Sequence, residues 1–311
     1  MSAANDRKVV LVTRRTRLED LVAKYLTVDQ ARFYLEHLGA DFSDYQREHD
    51  VYQRERQATL RTLEQWGRYQ IIDRGFLPNF IFGPSDIVVA LGQDGLVANT
   101  MKYLDRHPLI GLNPDAKRHD GVLLPFVASE LPALLREVAA EKRASKAVTM
   151  AKASLTNGEV LYAVNDLFIG ARTHISAVYE IATETRAERQ SSSGLIVATG
   201  LGSTAWFKSI VTGSLAIASA FGGNRARATY APQAWDSAEL HFAVREPFPS
   251  RSSQASLVCG RLTKSETLRL RSLMPESGVI FSDGIEADRL EFNSGTEAQI
   301  TVAERQGRLI V

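Results

Sequence analysis

The sequence predicts a parallel α/β unit followed by a β-rich unit, and three observations carry that reading. Between Lys8 and about Ser145, apolar runs suited to buried strands alternate with helical stretches, the pattern of a parallel sheet. After Ser145 the segments become short and strand-like, separated by polar, Ser-rich or Gly-rich turns. The chain's 311 residues exceed the usual span of one domain, so two are expected, over 1–145 and 146–311.

In the first part the buried strands are "KVVLVT", "YQIIDR", "DIVVAL" and "PLIGL". A helix is expected near Thr27, where Thr-Val-Asp-Gln forms a capping box before Ala31, Leu35 and Leu38. A highly charged helix covers about Asp44 to Trp66, its charges read as a solvated face, and another runs from about Ser129 to Ala144. In the second part the strand candidates are "KAVTMAKAS", "GEVLYAV", "ISAVYEIAT", "GLIVATG", "AELHFAV", "ASLVCGRL", "ETLRLRSL", "SGVIFSD" and "AQITVAE".

Composition narrows the function classes. With 44% hydrophobic and 23% charged residues the chain can bury a core, and its net charge of +1 gives no sign of a nucleic-acid or membrane partner. A lone Cys259 cannot form an internal disulfide, which suits a reducing compartment, and it is expected in the core. No secretory signal, Arg-rich leader or long apolar span is seen, so a cytoplasmic location is expected. His107, His119 and His174 lack metal-ligand spacing, and no resident metal site is expected.

Four stretches carry the candidate chemistry. "SSSGLIVATGLGSTAW" (191–206) fits G-x-G-x-x-A after a strand, but the dinucleotide fingerprint needs an acidic residue about 20 positions on, and none occurs from Ser191 through Trp235. Read alone, it is a strand ending in a Gly-rich turn and a short helix capped by Ser203 or Thr204. "DIVVALGQDGLVANTMKYL" reads as a buried strand, a tight turn over Gly92, Gln93, Asp94 and Gly95, and an amphipathic helix from near Leu96. An Asp at the carboxyl end of a parallel strand stands where open α/β sheets bind ligands. Asn165-Asp166 is an Asn-Asp turn in isolation, and Asp283-Gly284 suits a two-residue hairpin.

Taken in order, these stretches resemble the NAD kinase family. Its signature is a Gly-Gly-Asp-Gly turn, an Asn-Glu pair, a Thr-Gly-Ser-Thr-Ala-Tyr segment and an Asp-Gly hairpin; here they read Gly92-Gln93-Asp94-Gly95, Asn165-Asp166, Leu201 to Trp206, and Asp283-Gly284. Counterparts of "PLIGLNPDAKRHDGVLLPF", "NDLFIGA", "VREPF" and "EFNSG" make the mitochondrial branch the nearest resemblance. The resemblance implies a Rossmann-like α/β domain and a β-sandwich domain with the active site between them. It implies transfer of phosphate from ATP, with Mg²⁺, to the 2′-hydroxyl of the adenosine ribose of NAD, giving NADP, in a homodimer or larger assembly.

Asp94 would accept the ribose hydroxyl proton, with Gly92, Gln93 and Gly95 beside the phosphates. Asn113, Asn165, Asp166, Gly202, Ser203, Thr204, Ala205, Trp206 and Ser209 would form the rest of the nucleotide site, the indole offering a face to a base. Departures from the signature are Gln93, Leu96, Asp166 and Leu201, in place of Gly, Thr, Glu and Thr. A left-handed backbone at Gln93 would cost about 1–2 kcal/mol. The alternatives are an NAD-binding regulator with weak or no kinase activity, and a lipid or sugar kinase on the same fold. Arg225 and Arg227 are either phosphate contacts or part of a solvated loop.

Overall fold

The computed structural model describes residues 7–221 and 230–311. Arg225 and Arg227 therefore lie outside the described residues. The chain divides into two compact units, one ending at Lys146 and taking back Arg308–Val311, the other Ala147–Gly307.

In the first unit, β1 (Val9–Thr13), β2 (Tyr69–Asp73), β3 (Ile87–Leu91) and β4 (Pro108–Leu112) form a parallel sheet in the order β2-β1-β3-β4. β1, β3 and β4 are buried at every position, so their apolar runs are continuous rather than alternating. The helices are α1 (Arg17–Tyr25), α2 (Val28–His37), α3 (Phe42–Trp66), α4 (Asp94–Met101) and α5 (Leu131–Ala139). The Thr27 hydroxyl caps α2 by accepting the Gln30 N–H, while the complete capping box belongs to α1, between Thr16 and Glu19.

Two expectations for this unit are corrected. α3 is not simply a solvated face, because Glu48, Tyr52, Thr59 and Leu63 are buried along it. α4 is not amphipathic: Leu96 through Met101 are all buried, as suits a helix enclosed on every side.

The second unit holds two sheets. β7 (Asp166–Ala171), β10 (Leu195–Ala198), β11 (Glu239–Val244), β12 (Cys259–Thr263), β14 (Gly278–Ser282) and β15 (Ile285–Glu291) form an antiparallel sheet in the order β12-β11-β10-β7-β14-β15. The other contains β8 (Ala177–Ala182), β9 (Ala187–Ser192), β13 (Leu268–Ser272) and β16 (Glu297–Ile310), with β5 (Ser145–Leu155) pairing β16 and β6 (Val160–Ala163). Alternate residues of both sheets, such as Leu167, Ile169, Val197 and Phe242 against Tyr179, Ile181, Leu270 and Ile300, enter one core, giving a sandwich.

The opposite face of the six-stranded sheet presents Phe168, Ile196 and Val279 to Trp206 and Ile210 of α6 (Trp206–Ala220). Cys259 is exposed on the edge strand β12, not in the core as expected.

Candidate functional site

In the first unit the Gln93–Asp94 step is where β3 turns into α4, and Asp94 is the first residue of the helix rather than part of a free turn. Gln93 is extended at φ −131°, so the left-handed backbone feared for a non-glycine residue is not required. Neither glycine of the turn has a positive φ. A Cβ at Gly92 would lie 2.8 Å from Leu96 Cδ2, so the end of the Leu96 side chain would have to shift. Gly95 is exposed on the first turn of α4, with open space where a Cβ would stand.

The half-buried Asp94 carboxylate accepts the Leu123 N–H at 2.7 Å, which ties the segment after β4 to the turn. Asn113, 5% exposed, builds that segment: its amide donates to the His119 carbonyl at 3.1 Å and its side-chain oxygen accepts the Asp115 N–H at 3.0 Å. Its side chain is thus committed to shaping the loop.

A charged network that sequence reading missed stands beside this turn. Arg14 follows β1 directly, and its Cδ lies 3.5 Å from where a Gly92 Cβ would be. Its guanidinium donates to Glu48 at 3.1 Å and lies over the Tyr52 ring. Arg17 bonds both Glu48 and Asp44, and Arg118 makes two bonds to Asp44 at 3.0 and 2.6 Å. Burial pushes the Glu48 carboxyl up, but Arg17 and Arg14 outweigh it and hold it below its ordinary value. Arg118 and Arg17 hold the Asp44 carboxyl well below the usual carboxylate range. The signal was present, since Arg14 is the first residue past the carboxyl end of a buried parallel strand.

In the second unit three stretches far apart in sequence meet at one end of β7. Asp166 begins β7 opposite Ala198, the last residue of β10, and the Thr199 N–H donates to the Asn165 carbonyl at 2.9 Å. A Cβ at Gly202 would collide with that same Asn165 carbonyl oxygen, so only glycine lets the turn approach. The Asp283-Gly284 turn joins β14 to β15 with φ of 55° and 72°, the left-handed pair of a type I′ hairpin. The Asp283 carboxylate accepts N–H bonds from Val164 at 3.0 Å, Asn165 at 2.6 Å and Asp166 at 3.3 Å. Asp166 is 5% exposed; burial first, and the Asp283 charge second, push its carboxyl up to about 7.

After the turn, neither Ser203 nor Thr204 caps α6, correcting the expectation. The buried Ser203 hydroxyl donates to the Gly200 carbonyl at 2.6 Å and accepts the Gln233 N–H at 2.9 Å, and the Thr204 hydroxyl donates to the Leu201 carbonyl at 3.1 Å. α6 instead starts at Trp206, after the N-cap Ala205 and without a side-chain cap, and runs 15 residues, longer than the short helix expected. Thr204, Ala205 and Ser209 are exposed around its first turn.

The Trp206 ring lies parallel to Phe168, with centroids 5.8 Å apart, and the Arg245 guanidinium sits over the indole at 5.2 Å. Trp206, Phe168, Phe281, Arg172, Arg245 and Arg289 line part of a cavity of about 420 Å³. Among the described residues no group of three or more His, Cys, Asp or Glu could hold a metal ion, and no helix is long and apolar enough to cross a membrane.

The structure therefore gathers Asn165, Asp166, Gly202, Ser203, Thr204, Ala205 and Trp206 in the second unit, and Gly92, Gln93, Asp94, Gly95 and Asn113 in the first. Such placement defines the class: a strand-to-helix turn bearing an aspartate on a parallel α/β unit, and a polar turn cluster on a β-sandwich.

No family profile matches the chain, and no curated relative does. Its fold is similar to that of yeast NADH kinase, crystallised in complex with NADH, with a TM-score of 0.60. The likeness covers 98% of this chain and 83% of that one at 15% identity, so it establishes an NAD kinase-like fold.

Proposed function

We propose that this protein is an NAD kinase, transferring the γ-phosphoryl group of ATP, supplied as its Mg²⁺ complex, to the 2′-hydroxyl of the adenosine ribose of NAD. The ribose oxygen attacks phosphorus, ADP leaves, and the hydroxyl proton passes to Asp94, leaving NADP. The observation that carries the reading is the convergence of Asn165-Asp166, the Gly202–Trp206 turn and Asp283-Gly284 at one end of β7. The first two are stretches that the sequence resemblance assigns to the nucleotide, the third belongs to the same signature, and the likeness to NADH kinase supports the reading.

Each residue's proposed task follows from its surroundings. The N-terminus of α4, where Gly95 is exposed, offers the positive end of a helix to the donor phosphates. Arg14, beside Gly92, belongs to a network in which Arg17 and Arg118 help it to offset Glu48 and Asp44, so a guanidinium stands next to the turn where a phosphate would lie. Asn165 and Asp166 hold the adenine and ribose; Thr204, Ala205, Trp206 and Ser209 line the acceptor pocket. Gly202, Ser203 and Asn113 act indirectly, by shaping turns.

The protein works in the cytoplasm as a homodimer or larger assembly on this reading. The support for assembly is α6, where Phe207 is the one buried residue and Ile217 is 63% exposed, with Phe221 just past its end 88% exposed. Sedimentation velocity reads the assembly directly.

The test is NADP formation with NAD, ATP and Mg²⁺ by the wild type and Asp94→Asn, beside calorimetric NAD binding. The reading expects NADP from the wild type, and loss of turnover with retained NAD binding in the variant. Tight NAD binding with no turnover by any donor would make the protein a dinucleotide-binding regulator instead.

A further inference from the structure

Asp283 donates its own N–H to the Asp166 carbonyl at 3.0 Å while its carboxylate takes the N–H groups of Val164, Asn165 and Asp166. Three consecutive backbone donors converging on one carboxylate fix the bend that aims Asn165 and Asp166, and they satisfy a negative charge. The two carboxyls are therefore unequal. Asp283 has its donors, whereas Asp166 is almost completely enclosed and next to that charge.

The other elements packed around Asp166 bring no competing charge. Ala198 faces it from β10, Ser282 ends the neighbouring β14, and Gly202 stands against Asn165. Among the described residues, Asp283 is the one ionisable group whose charge shifts Asp166.

We infer that Asp283 is a positioning residue of the acceptor site: its carboxylate fixes the Val164–Asp166 bend and, beside the enclosed Asp166 side chain, couples acceptor affinity to the charge on that side chain. This rests on the kinase reading for the identity of the acceptor, but not for the state of the carboxyl pair. An ionised Asp166 accepts charge-assisted hydrogen bonds from ribose hydroxyls, and these are roughly twice as strong as neutral ones. A protonated Asp166 loses them. The acceptor's KM falls as the pH rises through the Asp166 midpoint, while kcat does not follow the same step.

Asp283→Asn separates charge from shape. Asparagine tolerates the left-handed backbone at this position, and its side-chain oxygen still accepts backbone N–H groups. The experiment measures KM for NAD against pH in the wild type, Asp283→Asn and Asp166→Asn, each checked for folding by thermal denaturation. The Asp166 carboxyl of the wild-type full chain is titrated in parallel by carbon-13 NMR, with Asp166→Asn assigning its resonance.

The expected result is a wild-type KM step at about 7, the same midpoint by NMR, and no step in Asp166→Asn. In Asp283→Asn the midpoint moves down by at least about half a unit. An unmoved midpoint in Asp283→Asn, or an Asp166 resonance titrating in the ordinary carboxylate range, would overturn the inference. If the wild type makes no NADP, the kinase reading fails while the NMR titration still decides the state of the pair. If Asp283→Asn does not fold, the wild-type titration alone keeps the inference open to refutation.

Discussion

Replacing Asp166 by asparagine should make the protein more stable in alkali than in acid relative to the wild type. Burial, then the Asp283 charge, raise the Asp166 carboxyl from an ordinary 3.8 to about 7 in the folded state. A raised value means the fold prefers the protonated form, so stability from this group is full below 3.8 and is lost as the pH rises through about 7. Each unit of that interval is worth about 1.4 kcal/mol, so the full loss is about 4 kcal/mol. Roughly 2 kcal/mol has gone at about pH 5 and about 4 kcal/mol at about pH 8. Asparagine has the same shape and does not titrate, so the variant escapes this loss. Its own packing changes stability equally at both pH values, and the readout is therefore the change in the gap. Chemical denaturation of both proteins at about pH 5 and about pH 8 should show the gap shifting by about 2–3 kcal/mol in favour of Asp166→Asn. A gap identical at the two pH values would refute the buried, charge-coupled carboxyl on which the acceptor site is built.

The remaining predictions concern the turns and the network beside them. Asp94→Asn should lower kcat by about 10²- to 10⁴-fold, the usual worth of a general base, with NAD affinity nearly unchanged by calorimetry. Gly202→Ala should cost about 3 kcal/mol or more in chemical denaturation and abolish acceptor binding, because its Cβ meets the Asn165 carbonyl oxygen. Glu48→Gln should destabilise the protein by about 1–3 kcal/mol near neutral pH, since it leaves the buried Arg14 guanidinium with a weaker partner. The Glu48 carboxyl lies below its ordinary 4.5, so its contribution is present above that value and is lost as the pH falls through the lowered one. The deficit of Glu48→Gln should accordingly shrink in acid, as read by the same denaturation series.

Much of this architecture is legible in the sequence where burial dictates composition. β1, β3 and β4 read as continuous apolar runs because both faces of a parallel sheet are covered, while β8, β13 and β5 from Ala151 onward alternate because one face meets the sandwich core. β9, Ala187–Ser192, shows no apolar alternation because "AERQSS" is polar even at its buried positions, Gln190 and Ser192, whose side chains bond the Tyr179 hydroxyl. α6 was read as short because no cap marks its start, and its apolar residues do not follow a single buried stripe.

The site divides in the same way. Single turn residues such as Gly92, Asp94 and Asn165-Asp166 stand out by type and position in the chain. Contacts to other parts of the chain do not: the Asn113 side chain also holds its own loop, and Asp283, which looks like a hairpin residue, fixes the bend at 164–166. The Arg14–Glu48 pair joins a strand end to the middle of a long charged helix, a contact that no local pattern encodes. Cys259 resembles a core thiol by its apolar neighbours, yet strand alternation turns it outward on an edge.

The central claim is a dinucleotide acceptor phosphorylated on its 2′-hydroxyl. The most direct measurement incubates the purified full chain with ATP, Mg²⁺ and separately NAD, NADH, a diacylglycerol, a sphingoid base and free sugars, and locates any new phosphate monoester by phosphorus NMR. The account predicts a monoester on the adenosine 2′-oxygen of NAD or NADH and none on the lipids or sugars. A monoester formed on a lipid or sugar while both dinucleotides remain unmodified would contradict it.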